Sequence, residues 1–150
     1  MKQVFINNIP PDFKKDEHFV YLAIVGSRSI TDESLVNKYI KTFIDAYSNK
    51  LNIPASSYVI VSGGARGVDT FAEKFVDKNG LPSVIIKPDW ERFGRKAGMI
   101  RNGEIARLSD VVLAFVDKDT GGTWDTIKKS KKLNKRVYVF NVLSRRLLSY

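Results

Sequence analysis

Short apolar runs that end in glycine-containing loops constrain the fold of this chain more than any other feature. The run from Phe19 to Val25 is apolar throughout, and Gly26 follows it directly. Such runs are typical of strands buried on both faces, because a half-exposed strand alternates apolar and polar residues. Four further runs are mostly apolar, namely Tyr58 to Val61, Pro82 to Ile86, Val111 to Val116 and Val137 to Phe140. The sequence therefore predicts five buried strands.

The segments between these runs carry apolar residues at helical spacing. One helix is expected after Thr31 and Asp32, which can cap its start, and another ends at Asn79 and Gly80. Two more are expected from about Ala97 to Leu108 and in the lysine-rich segment after Thr123. Strands that alternate with helices predict an α/β, three-layer Rossmann-like fold, with a five-stranded, mostly parallel sheet and helices on both faces.

The domain organisation follows from the same pattern. Residues 19–150 are expected to form a single domain without a linker or an internal repeat. Residues 1–18 look like an N-terminal appendage that either adds an edge strand or packs elsewhere. The lone histidine, His18, lies in this appendage and is expected at the surface.

Composition excludes several classes of chemistry. The 150 residues include no cysteine and one histidine, which excludes disulfides, thiolate metal sites and a cysteine nucleophile. With 43% hydrophobic residues the chain can bury a core. No apolar run approaches the roughly 20 residues of a membrane span, and the N-terminal residues lack a signal-peptide pattern. We expect a cytoplasmic protein with no membrane partner, no metal and no cofactor.

Three glycine loops follow predicted strands and carry the best candidate binding residues. They are Gly26-Ser27-Arg28, the stretch from Ser62 to Asp69, and Thr120-Gly121-Gly122-Thr123. In a parallel sheet all three lie at the carboxyl edge, where ligands of this fold class bind. Glycine lets the backbone approach an anion closely, and the helix starts after two of the loops offer free amides. The loops predict a phosphate or nucleotide site, although glycines also serve tight turns.

The formal charge of +9 divides into two clusters. The first surrounds the predicted ligand-side helix and comprises Arg92, Arg95, Lys96, Arg101 and Arg107. The second runs from Lys128 to Arg136 on the last helix. The first cluster suits the attraction of a small phosphorylated ligand. The second is either a face for single-stranded nucleic acid or an ordinary solvated surface.

Taken together, these motifs resemble the SLOG superfamily, and most closely its small, single-domain YspA-like group. The resemblance spans about Tyr21 to Phe140 and rests on the following segments: Ala23 to Arg28, Val61 to Asp69, Pro88-Asp89-Trp90, Gly94, Ala97-Gly98, Arg101-Asn102, Asp110 to Phe115 and Gly122-Thr123. The superfamily joins DprA/Smf DNA-processing proteins to LOG phosphoribohydrolases. The resemblance implies a Rossmann-like fold, a nucleotide or nucleotide-like ligand at the glycine loops and assembly into homo-oligomers.

The resemblance also assigns candidate site residues. The ligand-binding candidates are Gly26, Ser27, Arg28, Ser62, Gly63, Gly64, Arg66, Gly67, Asp69, Trp90, Arg101, Asn102, Gly121, Gly122 and Thr123. Trp90 either stacks on a base or closes the core as a lid. Arg101 would pair with a phosphate, and Asn102 either reads a ribose or base edge or lies in solvent.

The catalytic assignment departs from the enzymes of the superfamily. Their motif PGGxGTxxE carries a glutamate where this chain has Thr126, and the nearby Asp125 is expected to point elsewhere on the helix. Asp69 and Asp119 are the candidate catalytic carboxylates. Asp69 has the alternative role of binding the free amides of its helix start.

The leading hypothesis is a protein that binds a phosphorylated nucleoside or nucleotide-derived ligand, as a sensor or as a hydrolase of N-glycosidic bonds. The alternative is a DprA-like protein that binds single-stranded DNA. A third possibility is an adaptor that docks onto a protein partner through its basic helix or its appendage.

Overall fold

The computed structural model describes residues 3–6, 9–10, 12–118 and 121–150. This part of the chain forms seven strands and five α-helices. The strands are β1 (Gln3–Ile6), β2 (Val20–Gly26), β3 (Tyr58–Ser62), β4 (Ser83–Ile86), β5 (Val111–Val116), β6 (Arg136–Asn141) and β7 (Arg146–Ser149). The helices are α1 (Glu33–Leu51), α2 (Val68–Asn79), α3 (Trp90–Phe93), α4 (Ala97–Leu108) and α5 (Gly122–Lys132), and a 3-10 turn, Gly94–Lys96, joins α3 to α4. Strands and helices alternate from β2 to β6, except that α3 and α4 follow one another.

All strands belong to one sheet in the order β1-β4-β3-β2-β5-β6-β7. Every neighbouring pair is parallel except β6 and β7. The chain moves from β2 outward through β3 and β4, and then returns to place β5 on the other side of β2. The strand order therefore reverses between β2 and β5, and a crevice opens beyond the carboxyl ends of these strands.

Helices cover both faces of the sheet, which confirms the predicted three-layer Rossmann-like fold. Leu22 and Ile24 of β2 pack with α1 and α2, whereas Tyr21, Ala23 and Val25 pack with α4 and α5. Alternate residues of a strand point to opposite faces, so a strand covered on both sides must be apolar at every position. The five continuous runs in the sequence reflect this double burial.

The number of strands is seven, so the predicted five-stranded sheet was too small. β1 lies parallel to β4 at one edge, which is one of the two placements that the sequence left open for residues 1–18. β7 was missed at the other edge, where it pairs antiparallel with β6. All four residues of β7 are exposed, so no buried apolar pattern marks it. Its turn depends instead on Asn141, whose Oδ1 accepts hydrogen bonds from the amides of Leu143 and Ser144.

The N-terminal residues are joined to the rest of the fold by polar contacts as well as by β1. The Ile9 amide donates to Oε2 of Glu104 at 3.0 Å, and the Lys15 ammonium lies 2.6 Å from Oδ1 of Asp110. Asp110 also accepts a hydrogen bond from the Tyr21 amide through Oδ2, at 2.9 Å. The Asp110 carboxylate therefore connects the start of β5 with the start of β2 and with the N-terminal segment.

Candidate functional site

A cavity of about 730 Å³ lies at the carboxyl edge of the sheet, where the strand order reverses. A volume of this size falls in the range of ordinary small-molecule sites. Loops after β2, β3 and β5 meet here because parallel strands end at one edge. Its lining residues are Val25, Gly26, Ser27, Arg28, Ser29, Ala65, Arg66, Asp69, Arg101, Asn102, Ile105, Gly122, Thr123 and Thr126.

Nine of the predicted ligand-binding residues line this cavity. They are Gly26, Ser27, Arg28, Arg66, Asp69, Arg101, Asn102, Gly122 and Thr123. The other six, Ser62, Gly63, Gly64, Gly67, Trp90 and Gly121, are not among its lining residues. Five of these six shape the loops through backbone conformation or hydrogen bonds: Ser62, Gly63, Gly64, Gly67 and Gly121. Ser62, for example, is buried, and its hydroxyl accepts a hydrogen bond from the Gly64 amide at 3.3 Å and donates one to Glu73.

Gly63 lets two charged side chains approach the backbone of the β3–α2 loop. A Cβ atom at this position would lie 2.6 Å from Nη1 of Arg101 and 3.0 Å from Oδ2 of Asp69. The Gly63 carbonyl accepts a short hydrogen bond from that same guanidinium nitrogen. The missing side chain at Gly63 therefore leaves the space in which Arg101 and Asp69 come together.

Arg101 and Asn102, on α4, connect the loop after β3 to the start of α5. Nε of Arg101 donates to Oδ1 of Asn102 at 3.0 Å. The Asn102 amide nitrogen lies 3.3 Å from the Gly122 carbonyl and 3.1 Å from Oδ2 of Asp125. Asn102 is buried, so this network excludes the solvent-exposed alternative considered from the sequence. The network fixes the orientation of Arg101 at the cavity wall.

Asp69 is a buried carboxylate in the first turn of α2. Its Oδ2 accepts a hydrogen bond from the Ala65 amide at 3.2 Å, as expected for a residue that binds the free amides of this loop. The side chain also lines the cavity. Burial raises the pKa of Asp69 to about 7, against the opposing effects of the Ala65 amide and of Arg101. Asp69 therefore combines a structural contact with a position in the site.

Three arginines give the cavity a positive wall. Arg28 and Arg66 are exposed at its rim, and Arg101 is partly buried. Burial lowers the pKa of Arg101, the Asp69 carboxylate raises it, and the neighbouring Arg28 lowers it again. In the described part of the chain none of the three forms an ion pair within 4.0 Å. An anion placed between Arg28 and Arg101 would relieve their mutual repulsion.

Helices α2 and α5 both begin beside the cavity at a glycine. Gly67 and Gly121 occupy the N-cap positions with φ values of 77° and 119°, a region that other residues rarely adopt. Neither helix start has a side-chain hydrogen bond at its cap within the described residues. By contrast, Asp32 caps α1 by accepting from the Leu35 amide at 3.1 Å. The first amides of α2 and α5 are therefore available to an anion.

A chain of hydroxyl groups at the cavity mouth was not predicted. The Ser27 and Ser29 hydroxyls are 2.7 Å apart, and Ser29 donates a short hydrogen bond to Asp117 at the end of β5. These groups lie at the point where the strand order reverses. The Gly26-Ser27-Arg28 motif pointed to this loop, but Asp117 is 88 positions away from Ser29 and only the fold brings the two together.

The residues at and near the catalytic motif do not all line the cavity. Thr126 is buried in the cavity wall, and its hydroxyl donates to the Gly122 carbonyl at 3.3 Å. Asp125 does not line the cavity and accepts from Asn102 and Lys129, which agrees with the expectation that it points elsewhere. Asp119 lies outside the described residues, as does Thr120.

Trp90 does not act as a lid on the core, because 56% of its surface is exposed. His18 is exposed, as expected, and its Nδ1 lies 2.9 Å from Asp16.

The basic run on α5 is not one continuous exposed face. Lys129 contacts the Met99 carbonyl and Asp125, and Lys135 donates to the carbonyls of Arg107 and Ser109, which leaves four exposed cations: Lys128, Lys131, Lys132 and Arg136.

Two kinds of feature are absent from the part of the chain that the structure describes. No group of three or more His, Asp or Glu side chains is arranged there to hold a metal ion. No helix there combines the length and apolarity that a membrane crossing requires.

The raised pKa of Asp69 predicts a pH-dependent stability. The native carboxyl keeps its proton up to about pH 7, whereas the unfolded chain releases it near the ordinary pKa of 3.8. The folded state then binds more protons, so this contribution to stability falls as the pH rises from about 4 through 7. Relative to Asp69→Asn, which does not titrate, the wild type should lose about 2 kcal/mol between pH 5 and pH 8.

Urea unfolding at both pH values measures this difference. Asp77→Asn, on the exposed side of the same helix, is the matched control and should follow the wild type. A difference between wild type and Asp69→Asn that is the same at pH 5 and pH 8 would contradict the assignment.

Comparison with known proteins agrees with the fold and with the motifs. A family model described as the YspA, cpYpsA-related SLOG family matches residues 20–93. The Gene 61 protein of Mycobacterium phage D29 is 32% identical to this chain in an alignment of 115 residues that covers 73% of this chain and 86% of that protein. This match extends well beyond the segment that the family model covers.

Two solved structures share the fold. DprA of Streptococcus pneumoniae matches with a TM-score of 0.62 and 21% identity, over 81% of this chain and 50% of that chain. DprA of Helicobacter pylori, whose structure was described for its single-stranded DNA binding mode, matches with a TM-score of 0.58 and 20% identity, over 81% of this chain and 65% of that one. This chain thus spans only half to two thirds of the DprA chains, and the likeness shows the fold alone. The sequence matches, together with the glycine loops, show that the chain belongs to the YspA and cpYpsA-related SLOG family.

Proposed function

We propose that this protein binds a phosphorylated nucleoside or a nucleotide-derived ligand in the cavity at the carboxyl edge of its sheet. One observation carries the proposal. Arg28, Arg66 and Arg101 border a single cavity onto which two glycine-capped helix starts open. Guanidinium groups and free helix amides are the groups that proteins use to hold phosphate. The neutral part of the cavity wall, which includes Val25, Ala65 and Ile105, suits the less polar part of such a ligand.

Binding or sensing fits this cavity better than hydrolysis of an N-glycosidic bond. Enzymes that cleave glycosidic bonds usually use two carboxylates on opposite sides of the bond. Among the described residues, Asp69 is the one carboxylate that lines the cavity, and Thr126 stands where the related enzymes carry a glutamate. The Asp69 carboxyl, with its pKa raised to about 7, is suited to hydrogen-bond a ribose hydroxyl in either protonation state.

Calorimetric titration with AMP and with ADP-ribose tests this proposal. Arg66→Ala should weaken binding of the better ligand by about tenfold or more, because a charge-assisted hydrogen bond contributes roughly 1.5 to 3 kcal/mol. Arg146→Ala removes the same charge from β7, outside the cavity, and should leave the affinity unchanged.

No binding of either nucleotide by the wild type, or equal affinities for wild type and Arg66→Ala, would reject the proposal. Chromatography of the AMP sample after the titration distinguishes the two forms of the hypothesis. Intact AMP supports a binding protein, whereas release of free adenine would show a hydrolase.

Binding of single-stranded DNA is the second candidate function. The fold is shared with a DprA described as binding single-stranded DNA, and Lys128, Lys131, Lys132 and Arg136 form an exposed basic group on and after α5. Binding through such cations should weaken steeply with salt, because each neutralised phosphate releases counterions. A gel-shift series from low to physiological salt measures this dependence. The absence of a shift at low salt would remove this candidate.

A further inference from the structure

The loop after β2 presents two serine hydroxyls to the cavity, and their hydrogen bonds form a chain that ends on a carboxylate. Ser27 and Ser29 both line the cavity. Their Oγ atoms are 2.7 Å apart, and the Ser29 hydroxyl donates to Oδ2 of Asp117, the residue that follows β5. We call these three side chains the Ser27–Ser29–Asp117 chain. The groups to which phosphate binding is assigned above, the arginines and the helix starts, do not include it.

The direction of each hydrogen bond in the chain follows from the number of protons available. A serine hydroxyl has one proton and two lone pairs, whereas an ionised carboxylate has lone pairs alone. The proton of Ser29 is directed to Asp117, so the contact between the two serines uses the proton of Ser27. The Ser29 amide also donates to Oγ of Ser27, at 3.5 Å. Counted over the described residues, each serine oxygen keeps one lone pair, and neither keeps a proton for a ligand.

The loop that carries the two serines is fixed to its neighbours. The Ser27 amide donates to the Phe115 carbonyl of β5 at 3.1 Å, and the Ile30 amide closes a turn on the Ser27 carbonyl at 3.3 Å. The Ile30 side chain is buried in the core. The positions of the serine hydroxyls are therefore set by the fold before a ligand arrives, as specific recognition requires.

The cavity consequently has two kinds of wall. The arginines and the first amides of α2 and α5 are hydrogen-bond donors, and they suit a phosphate because its oxygens are acceptors. The Ser27–Ser29–Asp117 chain offers acceptors, and it suits a group that carries hydroxyl or amino protons. A phosphate oxygen placed against this chain would face lone pairs alone. The two walls therefore favour a ligand that is an anion at one end and a hydrogen-bond donor close by.

The distance along the ligand between these two groups has to be short, because the serine loop lies directly against the start of α2. A Cβ at Gly67, the N-cap of α2, would lie 3.1 Å from the backbone carbonyl oxygens of Ser27 and Ile30. A Cβ at Gly26 would lie 2.4 Å from the Val68 side chain in the first turn of the same helix. In a nucleotide the sugar carries the phosphate, so its hydroxyls are the nearest donors, and an amino group of the base lies farther away.

We propose that the Ser27–Ser29–Asp117 chain accepts a hydrogen bond from a ribose hydroxyl and makes the cavity selective for ribonucleotides over deoxyribonucleotides. This inference rests on the proposed nucleotide site and names the class of sugar that the site takes. Ser27 and Ser29 are the specificity-determining residues that contact the ligand. Asp117 is a positioning residue, which acts by holding the Ser29 proton away from the ligand. A deoxy sugar leaves a serine lone pair against a C–H group and loses one hydrogen bond.

Calorimetric titration of the wild type with AMP, 2′-deoxy-AMP and 3′-deoxy-AMP tests this inference. At least one of the deoxy compounds should bind about fivefold more weakly than AMP, because the lost hydrogen bond is a neutral one at a partly exposed site. The double variant Ser27→Ala, Ser29→Ala should bring the ratio of affinities close to one, mainly by weakening AMP. Ser56→Ala, an exposed serine in the loop before β3, is the matched control and should keep the wild-type ratio.

Asp117→Ala separates positioning from a merely structural role. Without the carboxylate the serine protons are free to turn toward the ligand, so the ratio should fall while the affinity for the deoxy compound stays unchanged. An equal loss of affinity for AMP and for the deoxy compound would show a structural role and contradict the assignment of Asp117.

The outcomes also keep this inference distinct from the cavity function. Tight AMP binding with equal affinity for both deoxy compounds, or an unchanged ratio in the double serine variant, would overturn the inference and leave the phosphate site standing. No binding of AMP would overturn it as well, and ADP-ribose then shows whether the cavity function survives. IMP, which has a carbonyl in place of the amino group of adenine, should bind like AMP. A preference for AMP over IMP that the double serine variant abolishes would assign the chain to the base and reject the ribose contact.

Discussion

The hydrogen bond from the Arg101 guanidinium to the Gly63 carbonyl is the contact on which the architecture of the site depends. It places a charge that is partly removed from solvent at the end of β3, although Arg101 itself belongs to α4. The position is possible because Gly63 has no side chain, and a Cβ there would lie 2.6 Å from the guanidinium. Through Asn102 the same group is connected to the start of α5. One arginine thus ties together three elements around the cavity.

Burial of Arg101 and Asp69 carries an electrostatic cost. This cost is consistent with a site that binds an anion. Burial disfavours the charged forms of both Arg101 and Asp69, and Arg28 adds repulsion to Arg101. The two groups offset each other only partly, as the raised pKa of Asp69 shows. Without a ligand, this partly compensated pair of buried charges stabilises the fold less than well-packed apolar side chains of similar volume would. The cost is understandable if an anion completes the charge balance when it binds, which is the expected behaviour of a prepared binding site.

The sequence predicted those features that depend on local pattern or on a motif. Five strands were evident because strands buried on both faces read as apolar runs, and the loops were evident from the glycines that follow three of these runs. The structure gives the reason for glycine at Gly67 and Gly121, which adopt positive φ values at helix starts. β7 could not be predicted, since all its residues are exposed and its pairing depends on a turn at Asn141. The Ser29–Asp117 contact joins residues that only the sheet order brings together.

The contacts of the charged side chains were the feature least predictable from the sequence. On and just after α5 the sequence shows a run of lysines, and helical spacing accounts for the pair of Lys129 with Asp125 on the same helix. Lys129 also donates to the Met99 carbonyl, and Lys135 donates to the carbonyls of Arg107 and Ser109, contacts between segments that no periodicity reveals. Likewise, the sequence assigned Arg92, Arg95 and Lys96 to the attraction of the cavity ligand, and none of the three lines the cavity itself. Side-chain direction depends on how a short helix such as α3 is oriented against α4, and that is a tertiary property.

We propose that Arg101, held at Gly63, and the helix starts at Gly67 and Gly121 act together as one phosphate site. Amide NMR spectra recorded during a titration with AMP, for the wild type, Gly63→Ala and Gly103→Ala, test it most directly. At Gly103 an added Cβ would make an ordinary contact of 3.9 Å with Lys129, so this variant controls for the substitution itself. We expect AMP to shift the amides at the starts of α2 and α5 in wild type and Gly103→Ala. Gly63→Ala should remain folded but lose these shifts, because Arg101 is displaced. Equal shifts in Gly63→Ala and wild type, or wild-type shifts confined to other parts of the chain, would contradict it.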